Sequence, residues 1–140
     1  MTRVDFYILE GSTSVEDFAC RLTDKVYGLG QTAALWLPGP GEAESLDRRL
    51  WTFRQESFIP HALAEQASGD DPEPIILCTD QPVPAAILIN LTGHMAPEPS
   101  AFTRIAEVIP DDEDARREAR DRYRRYREAG CELKAHTISK

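Results

Sequence analysis

The sequence is short of the residues and spacings on which catalysis or metal binding usually rests. Its three cysteines, Cys20, Cys78 and Cys131, are odd in number and far apart, with no CxxC pair. That argues against a disulfide framework or a cysteine-based zinc site and fits small reduced thiols in a cytoplasmic setting. His61, His94 and His136 share no metal-ligand spacing, and none lies at a ligand interval from a cysteine. GxSxG is absent, and so are GxGxxG and GxxxxGKS/T. No catalytic residue, cofactor or metal is therefore expected. No apolar run approaches the roughly 20 residues that span a bilayer, and Met1 to Glu10 lacks the layout of a signal peptide.

What is present is an ordinary globular balance of 41% hydrophobic and 29% charged residues over 140 positions. A chain of this size forms one domain and buries roughly two-thirds of its unfolded surface. No repeat, low-complexity segment or linker divides it, so residues 1–140 are expected to form a single domain. "RVDFYILE" is a β-branched and aromatic run that reads as a strand. In "TSVEDFACRLTDKVYGLG", Thr13 and Glu16 have capping-box spacing, the apolar residues recur at helical intervals, and Gly28 and Gly30 offer left-handed stops. "QTAALWLPG" is a nearly all-apolar strand, as a sheet covered on both faces requires. "GEAESLDRRLWTF" begins with acids and ends with arginines, matching a helix dipole. "PIILCTD" and "AAILINLTG" are further strands separated only by "QPVP", a spacing that suggests partly antiparallel pairing. "SAFTRIAEVIP" reads as a short helix or a helix-to-strand passage, and an arginine-rich helix and the strand "CELKAHTI" follow. The expected fold is α/β, a three-layer Rossmann-like domain with a mainly parallel sheet flanked by helices.

Ligands of such sheets favour the carboxyl ends of the strands. A glycine-bearing strand-to-helix turn there, "LWLPGPGEAES", places Glu42 and Glu44 in the first helical turn, where they repel a phosphate. A small nucleotide-dependent enzyme using Pro38–Glu44 is the weakest of the functional readings.

Charge is the stronger signal. The chain carries −8, yet seven of its thirteen arginines lie between Arg116 and Arg127. Against Glu118, Asp121 and Glu128 they leave the stretch from Arg116 to Gly130 at +4 and the remainder at −12. At about 100° per residue, Arg116, Arg120, Arg124 and Arg127 fall within an arc of roughly 80° with Tyr123 at its edge. Ala115, Ala119, Tyr126 and Ala129 form an adjacent face for packing. The preceding acids, Asp111 to Asp114, complement the helix dipole. One reading is a solvated face stabilised by Arg117–Asp121 and Glu118–Arg122 pairs. The other is a receptor for an anion, since arginine's planar fork grips carboxylates and tolerates partial burial. Single-stranded nucleic acid also seeks cations and stacking rings, but the acidic remainder repels a long polyanion more than a short acidic peptide.

A second segment, "RRLWTFRQESFIPHALAE", carries Trp51 at a helix end and the run Phe58, Ile59, Pro60, His61. It reads either as core packing or as an exposed patch for a permanent partner.

"RVDFYILE", "LWTFRQESFIPHALAE" and "IPDDEDARREARDRYRRYREAG", in this order, resemble the chi subunit family of the bacterial DNA polymerase III holoenzyme. The resemblance runs over essentially the whole chain, and "ESFIPH" and "RYRRYREAG" are its specific parts. It implies a cytoplasmic, non-catalytic accessory subunit of the clamp loader with no nucleotide. Such a subunit binds the acidic C-terminal tail of single-stranded-DNA-binding protein, which ends in a Phe carboxylate. It also docks on the small psi subunit and meets DNA only indirectly. By the same resemblance Arg116, Arg120, Tyr123 and Arg124, with Ile109 and Trp51 nearby, look like the tail-binding positions. Phe58, Ile59, Pro60 and His61 look like the psi-facing patch.

Overall fold

In the computed structural model, which describes residues 1–53, 59–64 and 73–139, the chain alternates strand and helix from its first residues. Strand β1 (Arg3–Leu9), helix α1 (Val15–Gly28), strand β2 (Ala33–Trp36) and helix α2 (Pro40–Thr52) come first. Strands β3 (His61–Leu63), β4 (Ile75–Cys78) and β5 (Ile87–Asn90) follow. A 3-10 turn (Pro99–Ala101), strand β6 (Arg104–Ile109), helix α3 (Glu113–Glu128) and strand β7 (Glu132–Ile138) complete the order. The strands form one sheet in the order β3-β4-β2-β5-β6-β1-β7, and every pairing among the described residues is parallel.

The expected antiparallel element is thus absent there. Eight residues, Thr79 to Ala86, carry the chain from β4 to the parallel β5 on the far side of β2. Parallel crossovers usually need a dozen residues or more. Here both strands are only four residues long, so eight extended residues, spanning up to about 27 Å, suffice. Val83 and Ala85 of this crossover pack on one sheet face. "SAFTRIAEVIP" resolves into the 3-10 turn followed by β6.

Alternation along β1 divides the core into two layers. Leu9, with Leu35, Leu77 and Ile89, meets Phe18 and Ala19 of α1 and Leu46 and Leu50 of α2. Val4 and Phe6, with Leu88, Ile105 and Ile109, meet Ala119 and Tyr126 of α3 on the opposite face. Helix α1 is capped by Ser14, whose hydroxyl accepts from the Asp17 N–H, and not by Thr13. The Glu16 carboxylate, free of the expected capping box, instead accepts from Ser45 Oγ at 2.8 Å and ties α1 to α2. Of the two expected left-handed glycines only Gly30 is one, with φ 74°; Gly28 closes the helix proper.

Candidate functional site

Helix α3 starts cleanly because its acids are used as caps. Asp112 accepts from the Ala115 N–H at 2.9 Å. Asp111 accepts from the Gly11 N–H at 2.8 Å and pairs with Arg116 at 2.9 Å. Asp114 pairs with Arg117 at 2.8 Å. Gly130, with φ 90°, ends the helix.

The buried side of α3 is small and polar, consisting of Ala119, Arg122 and Tyr126. The expected surface pair Glu118–Arg122 is replaced by an internal one. Arg122, 5% exposed, donates from Nε to Oε1 of Glu107 at 3.0 Å and from Nη1 to the Gly93 carbonyl at 2.8 Å. The other Glu107 oxygen accepts from the Tyr126 hydroxyl at 2.8 Å and from Asn90 Nδ2 at 2.6 Å. The Tyr126 oxygen in turn accepts from the Ala96 N–H at 3.0 Å. Burial pushes the Glu107 carboxyl up from its ordinary range, opposed by the Arg122 charge and the three donors. The Tyr126 phenol is also driven up, by burial and by the neighbouring carboxylate. Sequence reading overlooked this network. Its signal was a Glu within the apolar run "RIAEVI" and an Asn closing "ILIN", since polar groups in a covered strand must find partners.

The other side of α3 faces a hollow of about 480 Å³ between the helix and the β1–β7 end of the sheet. Phe6, Ile8, Ile109 and Ala119 form its apolar floor, and Ala135 and Thr137 of β7 form a wall. Arg116, Arg120 and Tyr123 stand on the helix side, and Glu10 is the one acid in the lining among the described residues. Tyr123 is fixed by Phe6, ring centroids 5.4 Å apart, and by Arg127 stacked 5.3 Å from its ring. A shallower hollow of about 380 Å³ adjoins it, lined by Arg117, Arg120, Tyr123 and Arg124. Arg124 and Arg125 share Asp121, at 3.2 and 4.0 Å, so the expected Arg117–Asp121 pair gives way to Arg117–Asp114. Arg120 pairs with no acid among the described residues.

Five of the expected tail-binding positions, Arg116, Arg120, Tyr123, Arg124 and Ile109, therefore gather around these two hollows. Trp51 does not join them. It closes α2, half exposed, with its ring 4.6 Å from that of His61 in β3. β3 stands five strand positions from β1, about 24 Å at the usual spacing. Of the second group, Ile59 and His61 are buried, and His61 is held by the Ile59 carbonyl at 2.6 Å and by Asp47 at 3.1 Å. Pro60 is half-buried, and Phe58 lies outside the described residues.

At the carboxyl end of β2 a third hollow, about 400 Å³, includes Pro38, Gly41, Glu16 and Glu42. Both oxygens of Glu42 lie within 3.6 Å of the position a Cβ on Gly39 would take, so the helix's own carboxylate sits over its first turn. Among the described residues no cation lines this hollow. Among the described residues no group of His, Cys, Asp or Glu could hold a metal ion, and no helix is long and apolar enough to cross a membrane. The Cys20 thiol is pushed up to about 12 by burial, and Cys78 is raised by the same cause.

A family model described as "DNA polymerase III chi subunit, HolC" matches residues 1–134. A protein named DNA polymerase III subunit chi from Pseudomonas aeruginosa is 37% identical over 142 residues, covering 99% of this chain and 98% of the relative. The Escherichia coli protein of that name is 30% identical over 149 residues, covering 98% and 99%. The Haemophilus influenzae one is 30% identical over 148 residues, covering 95% of each. Among solved structures, a chain from "The crystal structure of T4 UvsW" superposes with a TM-score of 0.68 at 8% identity. It matches 99% of this chain, which spans 42% of that larger one, and the likeness is one of fold. Matched nearly end to end by the family model and by these relatives, the chain belongs to the DNA polymerase III chi subunit family.

Proposed function

We propose that this chain is a non-catalytic accessory subunit that links the clamp loader of the replicative polymerase to single-stranded-DNA-binding protein, by holding that protein's acidic C-terminal tail against α3. The observation that carries this reading is an apolar hollow rimmed by arginines. The terminal Phe ring enters over Phe6, Ile109 and Ala119, beside Tyr123. Its carboxylate meets Arg120, which has no competing acid among the described residues, and Arg116. Glu10 on the lining repels the carboxylate and so orients it toward the helix. Upstream aspartates cross the adjoining hollow, where Arg117 and Arg124 exchange their exposed partners at little cost. Affinity is modest, falls with salt, and rises where many tails coat one DNA strand.

The psi subunit docks at the other end of the sheet. Trp51 supports this: with Met1 and Leu29 it is one of three large apolar side chains left exposed among the described residues, and tryptophan is a typical interface anchor.

Calorimetry with an acidic peptide ending in Phe tests the first part. The free-acid peptide binds and its C-terminal amide binds about tenfold or more weakly, as loss of one charge-assisted contact requires, while oligo-dT of equal charge does not compete. Equal affinity for acid and amide, or preferential binding of the oligonucleotide, refutes it.

A further inference from the structure

The apolar anchoring of α3 is too slight to fix how the helix is rotated. Its buried residues are Ala119, Arg122 and Tyr126, with Ala115 and Tyr123 partly covered. Alanines offer no knob to interdigitate with the sheet, which leaves the packing of Tyr123 and Tyr126 on Phe6, ring centroids 5.4 and 6.1 Å away, as the main apolar hold, and such non-directional packing tolerates small turns of the helix. Yet the hollow requires a definite rotation, since Arg116, Arg120 and Tyr123 must all face it. Arg122 lies about 200° from Arg120 around the helix, so whatever holds Arg122 inward holds Arg120 outward.

We propose that the buried Glu107–Arg122 ion pair is the positioning device that sets the rotation of α3 and so aims Arg116, Arg120 and Tyr123 at the hollow. The inference rests on reading that hollow as the tail site. The pair suits the task because its contacts are directional. Glu107 projects from β6, a central strand, and receives Nε of Arg122 on one oxygen and Tyr126 and Asn90 on the other. The remaining reach of Arg122, to the Gly93 carbonyl, and the Tyr126 oxygen, which accepts from Ala96, fasten the same helix to the β5–β6 connection. That connection is itself ordered from Asn90, which donates to the His94 carbonyl at 2.6 Å and accepts from Thr92. A helix turned by one residue would break both ends of this clasp and bury an unpaired guanidinium. An apolar contact would tolerate such a turn. Buried ionic groups add little to net stability but can fix register, the role assigned here.

The test compares affinity with stability. In Glu107→Gln/Arg122→Met the amide oxygen still accepts from Tyr126 and Asn90 and the thioether fills the arginine's path, so what is lost is the directional hold of Arg122 on Glu107 and on the Gly93 carbonyl. Expected is a folded protein with cooperative thermal unfolding, fivefold or greater loss of affinity for the acidic Phe-ended peptide, and shifted amide resonances for Arg120 and Tyr123. Leu46→Ala, in the layer beneath α1 and α2, is the control: it unfolds at lower temperature than wild type yet keeps peptide affinity within twofold. Arg122→Lys, which cannot reach Glu107 and Gly93 together, gives a smaller loss of affinity and decides the matter should the double variant fail to fold. Unchanged affinity in the folded variants, or an equal loss in Leu46→Ala, overturns the positioning role. Failure of the wild-type chain to bind the peptide overturns the reading of the hollow itself.

Discussion

Arg120 and Arg124 stand one turn apart on α3, yet Arg124 already shares Asp121 while Arg120 pairs with no acid among the described residues. A guanidinium that must first leave a partner gains less from a new one. Arg120→Ala should therefore weaken the tail peptide by about 5–30-fold, the equivalent of 1–2 kcal/mol. Arg124→Ala should cost about fivefold at most, the range of an exposed pair. Calorimetry of the two variants side by side checks the order as well as the size. A different residue governs acid stability. The Asp5 side chain is fully buried, with Arg104 at 2.8 Å, His136 at 2.9 Å and Arg3 at 3.1 Å. Burial pushes its carboxyl up, but the hydrogen bonds from His136, Arg3 and Arg104 outweigh burial and hold it below the ordinary value. A depressed carboxyl stabilises the fold fully above its unfolded pKa, and that stabilisation is lost as pH falls through the folded value. The Asp5 contribution to the thermal midpoint should thus be constant near neutrality and fall away below about pH 4, where an ordinary Asp titrates, and Asp5→Asn should be less stable at pH 7 but lose less of what remains between pH 4 and pH 2.

At the scale of elements, α3 depends on its first turn more than its composition suggests. Asp112 provides the side-chain cap, accepting from Ala115, and so few apolar residues back the helix that the cap has little reserve. Asp112→Ala should lower stability by about 1 kcal/mol, visible as a thermal midpoint a few degrees lower, and Asp112→Asn should restore most of it. The helix, its limits and its cationic side were legible in the sequence because arginine spacing and flanking acids are local signals. So were β1, β2, β4 and β5, each a β-rich apolar run, and the closing strand β7; β3, three residues directly after Pro60, carried no strand signal of its own, and the β6 stretch reads as helix or as strand. What escaped was non-local. Whether β4 and β5 run parallel depends on how short both strands are, since an eight-residue connection returns only across a four-residue strand. Ser14 rather than Thr13 caps α1 because Glu16, half of the expected box, is drawn to Ser45 of another helix. Arg122 looked like one more surface arginine because its partner, Glu107, lies fifteen residues away in a strand. The hollow itself was half visible: its helix side follows from periodicity, whereas Phe6, Ile8, Ala135 and Thr137 enter it only through the β1–β7 pairing.

Across the whole molecule the sheet acts as a ruler that separates two surfaces. The arginine-rimmed hollow lies at the β7 end and on the α3 face, while Trp51 lies at the β3 end and on the face covered by α1 and α2. At about 4.8 Å per strand, the intervening positions exceed both the reach of a side chain and the roughly 8 Å over which charge acts in physiological salt. Trp51 is therefore independent of the proposed tail site. Its half-exposed ring instead packs on the buried His61, 4.6 Å away, a base on which the proposed psi-type partner can seat. Trp51→Ala should leave affinity for the acidic peptide within twofold, because sites this far apart with no shared contacts behave additively. The same variant should weaken co-purification of a psi-type partner. Saturating peptide should not displace that partner from the wild-type chain, since the proposed bridging role requires both to be held at once. A Trp51→Ala protein that lost the peptide would mean the two ends communicate through the sheet, and the separation of roles drawn from strand order would fail.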